Sequence, residues 1–146
     1  MSIQIAWRER METFKTDLYE TNVAVDFLSS FLEQESFSFL RRAVENAITD
    51  DYLEYDVAVE AVVALELIAA IKGNANEELP LFEEISEEEL MKKYESKISN
   101  YLMSLCQDAL AILRRDEDSG VFDEYGEYAE FDDWVELIDD LEERLF

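Results

Sequence analysis

Residues 116–127, DEDSGVFDEYGE, put Asp116, Asp118 and Glu127 at positions one, three and twelve of a loop that resembles an EF-hand. Carboxylate oxygens at that spacing suit a hard divalent cation. The pattern fails at its turn, because Gly120 takes the fifth position and Val121 takes the sixth, where the sharp reversal needs glycine. A weak, adventitious cation contact is the most this segment predicts, and no metal ligand is assigned. Carboxylates also act in pairs, one as acid and one as base, on glycosides and similar substrates. The chain holds 37 Asp and Glu, and spacing marks out no such pair.

Other chemistry is closed off by residue type. The chain has no histidine. Ser-His and Cys-His nucleophiles, the commonest general base and the Glu-x-x-His pairs of di-metal bundles are therefore unavailable. The three glycines stand apart at 73, 120 and 126, so no glycine-rich phosphate loop exists. Cys106 is the single cysteine and falls on the apolar side of its helical pattern, where it reads as a small core residue. No catalytic residue and no cofactor is expected.

A different use of carboxylates is written at residues 123–134. DEYGEYAEFDDW combines six acids with four aromatic rings and no cation. A solvated loop accounts for the acids, and a core segment accounts for the rings. A surface for a cationic partner accounts for both, since tyrosine offers contact area with a polar tip and carboxylates meet arginine or lysine. If Phe122, Phe131 and Trp134 pack down, Tyr125 and Tyr128 stay outside beside Asp123, Glu124, Glu127 and Glu130. The candidate partner-binding set is Asp116, Asp118, Asp123, Glu124, Tyr125, Glu127, Tyr128, Glu130, Asp132, Asp133 and Trp134, with Asp139, Asp140 and Glu143 behind them. The reading requires these anions to be crowded together and open.

The whole chain sharpens that expectation. Its formal net charge is −25 over 146 residues, and residues 116–146 contribute −13 of it with Arg144 as their one cation. Such a field repels nucleic acid and anionic membrane and draws in cations. With 12 Lys and Arg in all, direct binding of a phosphate backbone is not expected. No apolar run approaches the roughly 20 residues that span a bilayer, and the N-terminus is too charged for a secretory signal. A lone cysteine suits a reducing compartment, so a cytoplasmic protein is expected.

The elements that must position these residues read as helix throughout. Apolar residues make up 49% of the chain, enough for a real core. Helical spacing predicts a first helix over 5–18, with Ile5, Met11, Phe14 and Leu18 on one side. A second follows from Asn22 as its cap, and a third opens at Ser36. Residues 56–72, DVAVEAVVALELIAAIK, are apolar nearly all round and predict a helix at the centre of a bundle, ended by Gly73. Its Glu60 and Glu66 project about 120° apart; each is expected to pair with an arginine such as Arg41 or Arg42, or to reach solvent. Ser86 and Glu89 form a capping box for a helix over 87–115, bending near Ser96 or Ser99, with Arg114 and Arg115 at its end. Asp132 or Asp133 caps a last helix that turns Trp134, Leu137, Ile138, Leu141 and Leu145 inward. The prediction is one all-α domain over 1–146, an irregular bundle of about five to seven helices around the 56–72 segment.

Three stretches carry a family resemblance. NVAVDFL at 22–28 resembles the Asp-x-Ala-x-Asp-Phe-Leu run of the bacterial family called domain of unknown function 4259. YLEYDVAVEAVVALELIAAIKG at 52–73 is similar to that family's second block, with Ala64 to Ala69 in the place of its Ala-x-Glu-Val-Val-Ala. WVELIDDLEERL at 134–145 resembles its closing helix. The family's Trp-Gly opening is absent, and Phe14 lies near that tryptophan's place. The resemblance implies a small helical bacterial domain of a kind encoded beside toxins, with no catalytic residues to carry over.

Together these readings favour an acidic binding protein, an immunity protein that neutralises a basic toxin such as a nuclease. The alternative is a non-catalytic scaffold or oligomerising helical domain. Oligomeric state is not legible.

Overall fold

A computed structural model describes Leu18 and residues 21–76, 79–125 and 129–146. The helix expected over 5–18 lies outside these residues except for Leu18, which is buried. Seven α-helices are present among the described residues: α1 (Asn22–Gln34), α2 (Phe37–Asn46), α3 (Tyr55–Ile71), α4 (Glu87–Tyr94), α5 (Asn100–Leu113), α6 (Gly120–Tyr125) and α7 (Ala129–Leu145). Short 3-10 turns at Pro80–Glu83 and Glu95–Lys97 join them. The described residues contain no strand, only one isolated parallel bridge between Leu53 and Ser119. The all-α bundle is as expected.

Helix α3 organises the rest. It touches each of the other six helices, and every residue from Ala61 to Ile71 is buried. A helix apolar all round has no face left for water, so neighbours must cover it on several sides. Alanines at 58, 61, 64, 69 and 70 are fully buried and let those neighbours come close. Its end is the left-handed stop that Gly73 predicts. Gly73 has φ +88°, its N–H donates to the Ala70 carbonyl, and the Asn74 N–H reaches Ala69, which is a Schellman closure.

Several helix ends differ from expectation for local reasons. Thr21, not Asn22, caps α1, since its Oγ1 accepts from the Ala24 amide at 3.2 Å while donating to the Leu18 carbonyl at 2.8 Å. The stretch 87–115 is two helices rather than one. Ser86 caps the first through the Glu89 amide, and Ser99 restarts the chain by accepting from Leu102 at 3.1 Å. The break turns Tyr94 toward Phe31, with ring centroids 5.6 Å apart, while Leu102, Cys106, Ala109 and Leu113 stay buried along α5. Helix α7 starts at Ala129, upstream of the caps expected at Asp132 or Asp133, which lie inside the helix. Phe131 is drawn in by an edge-on contact with Phe122 at 5.1 Å. Downstream, Trp134, Leu137, Ile138, Leu141 and Leu145 are all buried, as the periodicity predicts.

Glu66 has 0% exposure, in the middle of α3. Its partner is neither Arg41 nor Arg42. Arg144 of α7 reaches it with both terminal nitrogens, at 2.7 and 2.9 Å, and holds Asp140 through Nε at 3.0 Å. Burial alone would lower the Arg144 pKa, but the Glu66 and Asp140 carboxylates outweigh it and raise the value. Around this clamp Lys72 donates to the Leu145 carbonyl and Asn74 to the Arg144 carbonyl, so the C-terminal ends of α3 and α7 are tied together.

Two predictions test these charges. Arg144→Met strands Glu66 as an unpaired buried anion and costs about 3–5 kcal/mol in urea unfolding, whereas Glu66→Leu combined with Arg144→Met restores stability to the native level or above. Glu60 is partly buried, and burial first, then the nearby Asp56, raises its pKa. The folded chain therefore holds that proton more tightly than the unfolded one, and stability falls as pH rises past the ordinary carboxylate range. Glu60→Gln accordingly raises the thermal midpoint at pH 7 and leaves it nearly unchanged at pH 4, readable by calorimetry.

Candidate functional site

The acidic segment after α5 is fixed to the loop before α3 by backbone bonds. The Leu53 amide donates to the Asp118 carbonyl at 2.8 Å, and the Gly120 amide returns to the Leu53 carbonyl at 2.7 Å. That approach needs glycine. A Cβ at Gly120 would lie 2.5 Å from the Tyr55 nitrogen and 3.0 Å from the Leu53 oxygen. Asp118 sits at φ +49°, a left-handed conformation that Asp tolerates better than most residues. Arg115 locks the junction by donating to the carbonyls of Thr49, Asp51 and Asp118. Its role here is to gather carbonyls, beyond the helix-end charge expected from sequence. Ser119 Oγ then accepts from the Phe122 amide and starts α6.

This junction lays two acidic stretches side by side. From one come Asp50, Asp51 and Glu54, and from the other Asp116, Glu117, Asp118 and Glu124; all are exposed, and none makes an ion pair with any described residue. Tyr52 stands between them, 50% exposed, and donates its hydroxyl to Asp123 Oδ2 at 2.7 Å. That bond, with burial and the Asp123 and Glu54 charges behind it, holds the Tyr52 pKa above the ordinary tyrosine value. Tyr55 and Tyr125 share a 3.1 Å hydroxyl contact, their rings edge-on at 6.0 Å. The result is a composite acidic face with an exposed tyrosine in it.

The candidate set from sequence is thus divided. Asp116, Asp118, Asp123 and Glu124 belong to this face, and Tyr125 is half-buried at its edge. Glu130 and Asp132 are exposed at the start of α7, and Glu143 is exposed near its end. Glu127 and Tyr128 lie outside the described residues. Two members do not face a partner at all. Trp134 has 0% exposure and donates Nε1–H to the Leu113 carbonyl at 2.8 Å, and Asp133 is 4% exposed. Helical continuation from Ala129 turns both into the core. Asp139 and Asp140 are engaged within the protein. Arg114 pairs with Asp139 at 2.8 Å and with Glu142 at 2.9 Å, while Arg144 takes Asp140. The anions are therefore crowded over 116–124 and neutralised in the middle of α7.

Sequence reasoning missed Asp50, Asp51, Tyr52, Glu54 and Glu117. A signal was present, because TDDYLEYD at 49–56 has the same mixture of acids and tyrosine as the later tract. What could not be read was their adjacency. Among the described residues of the EF-hand-like stretch, Gly120–Tyr125 is helical and Val121 is buried, so that part is not the open turn a cation loop needs. No group of residues able to hold a metal ion occurs among the described residues. Cys106 is fully buried, and burial pushes its thiol up to about 12.

The family model of the Domain of unknown function (DUF4259) matches residues 13–137. The chain belongs to this family. The match spans α1 to α6 and the first half of α7, including both acidic stretches of the composite face. No curated protein and no solved structure matches the chain. No described helix is long and apolar enough to cross a membrane.

The glycine at the junction gives a direct test. Gly120→Ala pushes a methyl group into the 53–55 backbone and lowers stability by about 1–3 kcal/mol in denaturant titration, as overpacking does.

Proposed function

We propose that this member of the family is a non-catalytic binding protein whose composite acidic face docks on a cationic protein, and that it acts as an immunity protein against a basic toxin such as a nuclease. The observation that carries this reading is the junction of Leu53 with Ser119, which brings Asp50, Asp51 and Glu54 beside Asp116, Glu117, Asp118 and Glu124. Holding so many like charges together costs stability through self-repulsion, and a cationic partner relieves that cost on binding. Arg115 beneath the face is occupied by three backbone carbonyls, not by the carboxylates around it. The ring of Tyr52 supplies contact area at little cost in side-chain entropy.

An inhibitor of a nucleic-acid enzyme has to cover a surface evolved for phosphates. Exposed carboxylates on a backbone pinned by hydrogen bonds suit that task, because they are arranged before the partner arrives. The exposed positions also fit binding better than acid–base catalysis, which calls for a carboxyl in a sheltered pocket.

The test begins with capture of partners from the native cell on the immobilised chain, followed by kinetics on the purified partner. The expected partner is basic and binds with about nanomolar affinity, and added salt weakens binding mainly through the association rate. Replacing Asp51→Asn, Glu54→Gln, Asp118→Asn and Glu124→Gln together slows association about tenfold at low salt. Expression of that partner alone arrests growth, and co-expression with this chain restores it. Undiminished binding by the fourfold variant assigns the contact to another surface. Self-association without salt dependence, and no basic partner, leaves the scaffold reading instead.

A further inference from the structure

The cations of this acidic chain are not evenly used. Lys72, Arg114, Arg115 and Arg144 all donate to carbonyls or carboxylates that tie one part of the fold to another. Arg41, Lys93 and Lys97 do something else. They come from α2, α4 and the 3-10 turn after it, and line one cavity of about 510 Å³ at the junction of α1 and α2. That volume falls within the range of small-molecule pockets, about 300–1,000 Å³.

The local charge runs against the global one. Three cations and one carboxylate, Glu35, line the cavity, so its lining is net positive in a chain whose net charge is −25. Glu35 pairs with Lys93 at 3.2 Å and Glu45 with Arg41 at 3.5 Å, both at exposed positions where such pairs contribute little and yield to a better partner. Lys97 makes no ion pair with any described residue. The polar wall is completed by Ser36 and Ser38, whose hydroxyls bond each other at 2.8 Å. Ser36 gives no side-chain cap to α2, so the serines remain available to a ligand. The lining also holds the rings of Phe37 and Tyr94, 6.0 Å apart, with Tyr94 buried and Lys93 Nζ 5.5 Å from its ring centroid.

We propose that this cavity binds a small phosphomonoester carried on a flat apolar body, as in a mononucleotide. Arg41 and Lys97 take the phosphate oxygens, Ser38 donates a hydrogen bond to them, and the Phe37–Tyr94 wall receives the flat body. The net positive lining favours a phosphomonoester, which carries about −1.5 to −2 at pH 7. A planar guanidinium also fits phosphate oxygens in pairs. The residues are separate from those of the composite acidic face, so the site stands or falls independently of toxin binding.

The probe is adenosine 5′-monophosphate, titrated calorimetrically into the full chain at about 0.15 M salt, where the Debye length of about 8 Å screens the distant carboxylates. Saturable binding is expected, with inorganic phosphate competing more weakly and adenosine not binding. Arg41→Gln combined with Lys97→Gln weakens binding at least tenfold and leaves the thermal midpoint unchanged, since both side chains are exposed. Lys92→Gln, 77% exposed and paired with Glu88 outside the cavity, leaves binding intact. If adenosine binds as well as its monophosphate, or the monophosphate fails to bind, the proposal is overturned. Binding that survives the double variant overturns it too. Phosphate binding as tightly as the nucleotide overturns the role given to the ring wall.

Discussion

A carboxylate on a helix with no solvent-facing side must find its countercharge inside the protein. Glu66 on α3 is in that position, and the fold answers with Arg144 from the last turn of the last helix. The cost of burying the two ions is met only if the geometry is close and the remaining donors are used. Both conditions hold here, since the guanidinium spans both Glu66 oxygens and gives its third nitrogen to Asp140. The C-terminal end of α7 is thereby fixed against the C-terminal end of α3, with Lys72 donating to the Leu145 carbonyl and Asn74 to the Arg144 carbonyl.

That clamp also shapes the surface. Arg144 and Arg114 between them occupy Asp139, Asp140 and Glu142, which removes the middle of α7 from the set of open anions. Asp133 and Trp134 are lost to the core for a related reason, because α7 must lay a continuous apolar stripe against α3. Open carboxylates remain at the junction of the 49–54 loop with the 116–124 segment. There the backbone approach at Gly120 and the three carbonyls gathered by Arg115 hold the acids in place. A chain of −25 thus has a region around this junction where exposed carboxylates gather without an ion pair to any described residue, and another around Arg41, Lys93 and Lys97 where the lining is net positive.

Much of the fold was legible because it depends on neighbours within a turn or two. The all-round apolar character of 56–72 identified the central helix within one residue at each end. Gly73 as its stop, Ser86 as a cap and the inward residues of α7 followed from the same short-range rules. Errors arose where two short-range rules competed. Thr21 and Asn22 are both good caps, and the one whose hydroxyl also reaches Leu18 prevailed. Where the spacing predicts only a bend near Ser96 or Ser99, the extended backbone at Ile98 and the Ser99 cap make a restart.

The candidate site was legible in part. Composition alone pointed to an acidic, tyrosine-bearing surface near the C-terminus, and Asp116, Asp118, Asp123 and Glu124 are on it. Sequence by itself determined the helical class, the central helix and the sign of the surface, since each follows from residue type and local spacing. Only the tertiary structure decided which arginine answers Glu66, which acids are consumed inside α7, and that residues 50–54 join 116–124 in one face. Those are contacts between residues up to 78 positions apart. Chain closure over such distances depends on how the whole core packs, and no local periodicity records it.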